Sequence, residues 1–127
     1  MQAEITDKPF VDAIVASVHI GHFMSTNRLE ILLSMVDRNP ADGFSRYGLA
    51  MEYVKSGDLV TALDHFMLLL EHNPNYAAAY FHGGQTLEKL GRIDEAKGLY
   101  RRGIEVTGAM GDDHTRSELQ AALSLLG

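Results

Sequence analysis

Two consecutive stretches of the chain decide its fold, because they follow one plan. Residues 39–72 read NPADGFSRYGLAMEYVKSGDLVTALDHFMLLLEH, and residues 73–106 read NPNYAAAYFHGGQTLEKLGRIDEAKGLYRRGIEV. At the interval that separates Asn39 from Asn73, identical or similar residues recur at six places. The pairs are Asn39-Pro40 with Asn73-Pro74, Gly57 with Gly91, Leu59 with Ile93, Ala62 with Ala96, Phe66 with Tyr100, and Leu70 with Ile104. A fixed period of this length is typical of stacked helical repeats.

Within each period, the local signals predict a helix, a tight turn and a second helix. Apolar residues fall at helical spacing over residues 44–55 and again over residues 59–72. Between them, Gly57 can adopt the left-handed conformation that ends a helix, and Asp58 can cap the next one. The second period repeats this plan with helices over residues 77–90 and 93–106. The sequence therefore predicts antiparallel pairs of helices and no strand.

The pattern resembles the tetratricopeptide repeat, and in particular small bacterial-type proteins of that family. The family's 34-residue unit follows W-x-x-L-G-x-x-Y, then A-x-x-x-F, then P. In the unit 43–76 these slots hold Arg46, Leu49-Ala50, Tyr53, Ala62, Phe66 and Pro74. In the unit 77–110 they hold Tyr80, Gly83-Gly84, Leu87, Ala96 and Tyr100, with Gly108 in place of the proline. The missing proline predicts that the last helix of this unit runs on or bends.

Counting back another period places a third, degenerate unit over residues 9–42. Its first helix would present one apolar face made of Phe10, Val11, Ile14, Val15 and Val18. Its second helix would follow Ser25-Thr26-Asn27 and end at Asn39-Pro40, with Arg28 where a small residue is usual. Alternatively, residues 1–23 are a segment appended before a start at Met24.

The end of the chain predicts a helix that covers the last repeat. Over residues 112–126, the apolar side consists of Leu119, Ala122, Leu123 and Leu126. A solenoid exposes the apolar face of its final unit, and a terminal amphipathic helix shields that face from water. We therefore expect one all-α domain over residues 1–127, a helical-hairpin solenoid of about seven helices including this C-terminal capping helix.

Composition excludes several classes of function. Lys and Arg number 11 against 17 Asp and Glu, and the net charge of −6 argues against binding to nucleic acid or to anionic membranes. The chain has no cysteine, so disulfides and thiolate chemistry are excluded. The apolar stretch 10–20 contains Asp12 and is much shorter than the roughly 20 residues of a membrane span. We expect neither a signal peptide nor a membrane segment, and a cytoplasmic location.

No constellation of side chains predicts catalysis, a metal or a cofactor. The six histidines lack the convergent spacing of a zinc site, since Gly21 separates His19 from His22, and His65 and His72 are two helical turns apart. The acidic pairs Asp94-Glu95 and Asp112-Asp113 begin helices, where negative charge stabilises the helix dipole. An enzyme or a metal-dependent protein that uses the histidines remains an alternative.

The resemblance implies a concave groove lined by the first helix of each unit. Its groove positions fall here on Phe44, Tyr47, Gly48, Met51, Val54, Lys55, Ala78, Phe81, His82, Gln85, Glu88 and Lys89. The family's carboxylate clamp for chaperone tails needs Lys and Asn at positions that hold Tyr47, Met51, Phe81 and Gln85 in this chain. The apolar character of these positions instead favours a hydrophobic or amphipathic segment of a partner protein.

The sequence thus predicts a non-enzymatic protein-interaction module, an adaptor or scaffold that holds a peptide or a helix. The alternative is a self-associating structural scaffold or assembly factor. In that case the N-terminal segment or another copy of the chain would cover the groove, and exchange of a terminal helix pair would allow a homo-oligomer or a domain swap.

Overall fold

The structure is a computed structural model that describes residues 23–127, and all of the regular secondary structure in this range is helical. The six helices are α1 (Phe23–Arg38), α2 (Gly43–Ser56), α3 (Leu59–His72), α4 (Ala77–Lys89), α5 (Ile93–Met110) and α6 (Asp113–Leu125). Each helix packs against the next one in the chain, and α4 also contacts α6. This arrangement confirms the predicted helical-hairpin solenoid. The helix predicted between residues 9 and 20 lies outside the described residues.

The turn signals in the sequence act as predicted. Gly57 ends α2 with a φ of +88°, and its N–H donates to a carbonyl of the last turn. The Asp58 carboxylate then caps α3 by accepting a hydrogen bond from the Thr61 N–H. Gly111 and Asp112 repeat this arrangement before α6, where Asp112 accepts from the Thr115 N–H. These turns are short, so successive helices are antiparallel neighbours.

The core consists of the small and aromatic residues that define the repeat. Ala62, Phe66, Tyr80, Ala96 and Tyr100 are all completely buried. Gly84 lies so close to the Tyr100 ring that a Cβ there would overlap the ring atom Cε1. A Cβ at Gly103 would lie 2.6 Å from Tyr80 Cβ. Glycine in α4 and α5 therefore permits the close crossing of these helices.

Two residues at the same position of successive units make the same hydrogen bond. Arg46 Nη2 donates to the carbonyl oxygen of Pro40 at 3.2 Å, and the Tyr80 hydroxyl donates to that of Pro74 at 2.7 Å. Each bond ties the first helix of a unit to the loop before it, because Pro40 and Pro74 precede α2 and α4. Arg46 therefore substitutes for the usual aromatic residue by supplying an equivalent donor.

The ends of α1 and α5 test two of the sequence expectations. Ser25-Thr26-Asn27 lie within α1, so the prediction that they precede this helix is wrong. Ser, Thr and Asn are favoured at helix caps, but the packing of α1 on α2 outweighs that local preference. At the other end, α5 continues past Val106 to Met110. This extension confirms the expectation for Gly108, which cannot end a helix as proline does.

Candidate functional site

The candidate site lies on the side of the molecule where α2, α4 and α6 are neighbours, which we call the groove face. The Tyr47 ring of α2 lies 5.9 Å from the His82 ring of α4, measured between centroids. The other edge of α4 contacts α6. The three helices thus form a continuous surface, and the second helices α3 and α5 lie outside it.

Aromatic rings occupy the part of the groove face between α2 and α4. Tyr47 contacts the rings of Phe66 and Tyr76, with centroid distances of 6.3 and 5.3 Å. Phe81 meets His82 edge to face at 5.2 Å. Offset and edge-to-face pairs of this kind add to the stability of apolar packing. Tyr47 and Phe81 are half-buried, so part of each ring is exposed to solvent.

Burial determines the charge state of the ionisable rings in this cluster. It raises the pKa of Tyr47 above its ordinary value, and the neighbouring Tyr76 hydroxyl acts in the same direction. Burial also lowers the pKa of His82, although a hydrogen bond with Gln85 partly opposes that effect. Tyr47 and His82 are therefore neutral at pH 7, and this part of the groove face carries no charge of its own.

A pocket of about 360 Å³ continues the groove face between α4 and α6. Its apolar walls are Phe81, Ala121, Ala122 and Leu125. Its polar groups are the amide of Gln85 and the carboxylates of Glu88 and Glu118. The pocket is open to solvent and large enough for one or two side chains of a bound peptide.

The structure brings together only part of the predicted groove. Tyr47, Phe81, His82, Gln85 and Glu88 form the aromatic cluster and one wall of the pocket. The remaining predicted positions have other surroundings: Met51 and Val54 pack against the core, Gly48 lies under Leu32 of α1, and Phe44, Lys55 and Lys89 are exposed to solvent. Phe44 is 72% exposed, so it contributes little to the fold.

Sequence reasoning did not place Glu118, Ala121 and Leu125 in the site. The sequence predicts residues 112–126 only as a cap for the last repeat, yet α6 also contacts α4, the first helix of the preceding unit. Counted from Ala77, the first residue of α4, one more repeat interval predicts an earlier start for α6 than Asp113, where this helix begins. The repeat interval therefore does not predict the groove positions of α6 either. The long α5 causes this shift, and the missing proline was the signal for it.

A buried polar pair lies apart from the groove face, between α2 and α3. Arg46 Nη1 and His65 Nδ1 are 3.0 Å apart, and the His65 ring stacks on Tyr53 at 5.5 Å. Burial lowers the pKa of His65, and the charge of Arg46 lowers it further. Neutral His65 therefore accepts a hydrogen bond from the guanidinium. Arg46 Nε is buried without a partner among the residues that the structure describes.

Between Phe23 and Gly127, His, Asp and Glu side chains nowhere gather in groups of three that could hold a metal ion. Over the same range, no helix has both the length and the apolar character that crossing a membrane requires.

The fold and the groove face define a class of protein, the helical-repeat solenoids, and comparison with known proteins gives the family. A model of the tetratricopeptide repeat matches residues 65–98. The solution structure of a tetratricopeptide repeat domain protein from Salinibacter ruber is 40% identical, with a TM-score of 0.66. The similarity covers 69% of this chain and 89% of that one. The chain belongs to the tetratricopeptide repeat family, which confirms the resemblance found in its sequence.

Two more distant relatives extend the comparison. A repeat-containing protein of the same family from Pseudomonas aeruginosa is 24% identical over 98 residues, which are 77% of this chain and 93% of that protein. The crystal structure of PcrH, in complex with the chaperone binding region of PopD, superposes with a TM-score of 0.73 at 14% identity. That match covers 95% of this chain and 91% of PcrH, and at this identity it concerns the fold alone.

Proposed function

We propose that the protein is a non-enzymatic interaction module that holds a peptide or an amphipathic helix of a partner protein on its groove face. The observation that carries this proposal is the continuity of the surface. The half-buried rings of Tyr47 and Phe81 lead directly into the pocket between α4 and α6. A ligand helix laid along this surface would place successive apolar side chains on the rings and in the pocket.

The chemistry of these residues suits reversible binding. Aromatic rings provide a large contact area with few rotatable bonds, so they lose little conformational entropy when a ligand orders them. Tyr47 and Phe81 are also held from behind by Phe66, Tyr76 and His82, which prepares them for contact before binding. Among relatives of the same fold, PcrH was crystallised with a region of PopD. We place the module in the cytoplasm, in keeping with a chain that has no cysteine.

Selection of binding peptides tests the proposal directly. Peptides from a random display library would be selected on the purified protein, and their affinities measured by fluorescence anisotropy. We expect Phe81→Ala to weaken the selected peptides at least tenfold, because truncation of a buried aromatic anchor is commonly among the most costly substitutions in an interface. Gln85→Arg, which places a long side chain in the pocket, should have a similar effect.

The matched control is Met67→Ala on α3, where Met67 is 41% exposed and lies away from the groove face. Circular dichroism and thermal melting would establish that all three variants are folded. Peptides that bind Phe81→Ala and Gln85→Arg as tightly as the parent protein would refute the groove face as the binding surface.

A second candidate function is self-association, and the surface of α1 favours it. Ile31 and Met35, one helical turn apart, are 52% and 37% exposed, and Leu33 of the same helix is 41% exposed. In a self-associated scaffold of this kind, a second copy of the chain would cover the exposed apolar residues of α1. Light scattering across a hundredfold range of protein concentration would reveal the growth in mass that this candidate requires. Ile31→Glu should then prevent that growth.

A further inference from the structure

The pocket between α4 and α6 combines apolar walls with two carboxylates. Glu88 is half-buried and accepts a hydrogen bond from the Tyr100 hydroxyl. Glu118 projects from α6 on the opposite side, with 47% of its side chain exposed. None of the described residues that line this pocket is Lys or Arg. The two acidic groups therefore face a shared space without a cation among the lining residues.

Among the described residues, the groups that contact the two carboxylates bring no buried positive charge into the pocket. Burial, together with Glu88, raises the pKa of Tyr100 far above its ordinary value, so its hydroxyl stays protonated and donates to the carboxylate. His82 is neutral at pH 7, because burial lowers its pKa. His114 Nε2 lies 3.6 Å from Glu118 Oε2, but the His114 side chain is 85% exposed, and Lys89 is exposed to solvent.

We propose that this pocket binds a Lys or Arg side chain from an amphipathic helix of the partner. The inference rests on the groove-face function proposed above and gives the chemistry of its ligand. The aliphatic stem of the basic residue would pack on Phe81 and Ala122, while its charge lies between Glu88 and Glu118. An apolar residue one turn away in the partner helix would cover Leu125, which is 87% exposed.

Charge complementarity is what selects this ligand over other amphipathic segments. An acidic helix would bring a third carboxylate against Glu88 and Glu118, and like charges in a partly desolvated pocket repel. The protein's net charge of −6 adds to that repulsion and to the attraction of basic segments. A neutral helix would contact the apolar walls of the pocket but would bring no positive charge to Glu88 and Glu118. The expected order of affinity is thus basic, neutral, acidic.

Three synthetic helices that share one apolar face and carry Lys, Gln or Glu on the polar face would measure this order. Fluorescence anisotropy at low and at high concentrations of NaCl would give their affinities for the full chain. We expect the Lys helix to bind about tenfold more tightly than the Gln helix at low salt, and the difference to shrink at high salt. The Glu helix should bind most weakly.

Charge reversal at one carboxylate makes the test specific. Glu118→Lys should weaken the Lys helix by about tenfold and strengthen the Glu helix. The matched control is Glu105→Lys, which changes the net charge equally at an exposed position of α5. A control that shifts both affinities as much as Glu118→Lys would overturn the inference, because the effect would then come from net charge alone.

The outcomes separate this inference from the function on which it rests. Equal binding of the Lys and Gln helices, with loss of both in Phe81→Ala, would overturn the basic ligand and leave the groove-face function standing. Absence of binding by all three helices at millimolar concentration would overturn both. Tight binding of the Glu helix to the parent protein would also overturn the inference.

Discussion

The repeat units 43–76 and 77–110 make the same hydrogen bond with different residues. In each unit, one side chain of the first helix donates to the carbonyl of the proline in the preceding loop: Arg46 in the unit 43–76, and Tyr80 in the unit 77–110. Arg46 contacts the polar ring of His65. In the unit 77–110, the sequence position that corresponds to His65 holds the apolar Leu99. In both units of this chain, this position therefore carries a donor that reaches the carbonyl, and the hydroxyl of an aromatic side chain is one way to supply it.

Arg46 and Tyr80 differ in how many of their buried polar atoms have a hydrogen-bond partner. Tyr80 buries one hydroxyl, which is hydrogen-bonded, and its ring also receives the guanidinium of Arg102 at 5.6 Å. Arg46 buries a charged group and leaves Nε unpaired among the described residues. Burying a charge costs free energy unless every donor finds a partner. The unit 43–76 is accordingly the more weakly stabilised of the two.

A second difference concerns the close helix crossing in each unit. In the unit 43–76, Ala50 and Phe66 occupy the positions that Gly84 and Tyr100 occupy in the unit 77–110. Tyr100 is larger than Phe66 by a hydroxyl that bonds to Glu88, and its ring fills the space above Gly84. A methyl side chain therefore fits at Ala50 in the unit 43–76, whereas it does not fit at Gly84 in the unit 77–110.

The largest predicted effect comes from adding that methyl group. Gly84→Ala should lower the free energy of unfolding by about 3 kcal/mol, because overpacking a fully buried ring displaces both helices. The matched exchange Ala50→Gly should cost only about 1 kcal/mol, the usual difference in helix propensity. Urea denaturation followed by circular dichroism would compare the two, and similar losses would contradict the proposed difference in packing.

The next effect is a gain in stability when the first unit is given the residues of the second. The double substitution Arg46→Tyr with His65→Leu should raise the free energy of unfolding by about 1–2 kcal/mol, since it removes a buried charge that is incompletely paired. The hydroxyl of the new tyrosine would replace the guanidinium in the bond to Pro40. A fall in the thermal midpoint of the double variant would show that the Arg46–His65 pair stabilises the unit.

A smaller effect is expected from the shared hydrogen bond alone. Tyr80→Phe keeps the ring and removes the hydroxyl, and it should cost about 1 kcal/mol because the Pro74 carbonyl loses its donor. Tyr53→Phe, which removes a hydroxyl from a ring that is only partly buried, serves as the control and should change stability less. Equal effects in thermal unfolding would argue against a structural role for this bond.

The smallest predicted effect is a dependence of stability on pH, which arises from His65 in the unit 43–76. His65 has a lowered pKa when folded, so the unfolded chain takes up its proton first as the pH falls through about 6.5. Stability should therefore decrease from pH 7 down to the lowered pKa of the folded state. His65→Leu should reduce this decrease, whereas His72→Gln at an exposed position should not. His82 contributes in the same direction, so part of the slope should remain.

The repeat plan could be predicted from sequence because its signals are local. Gly57 and Asp58 define a turn through their own conformational and hydrogen-bonding preferences, and the alternation of apolar residues indicates which side of each helix is buried. The start of α1 was missed, since a Ser-Thr-Asn run favours a helix cap and the packing of α1 on α2 overrides that local preference. The pocket beside α6 was missed because the position of this helix depends on the length of α5.

The amino-acid sequence by itself determined the helical pairs, their turns, the family and the residues of the core. The fixed repeat interval and the periodic apolar positions carry this information along the chain. Only the tertiary structure decided that Arg46 reaches Pro40, that Tyr100 excludes a side chain at Gly84, and that Glu88 and Glu118 share one pocket. These relations join different helices, and their distances depend on how the helices pack.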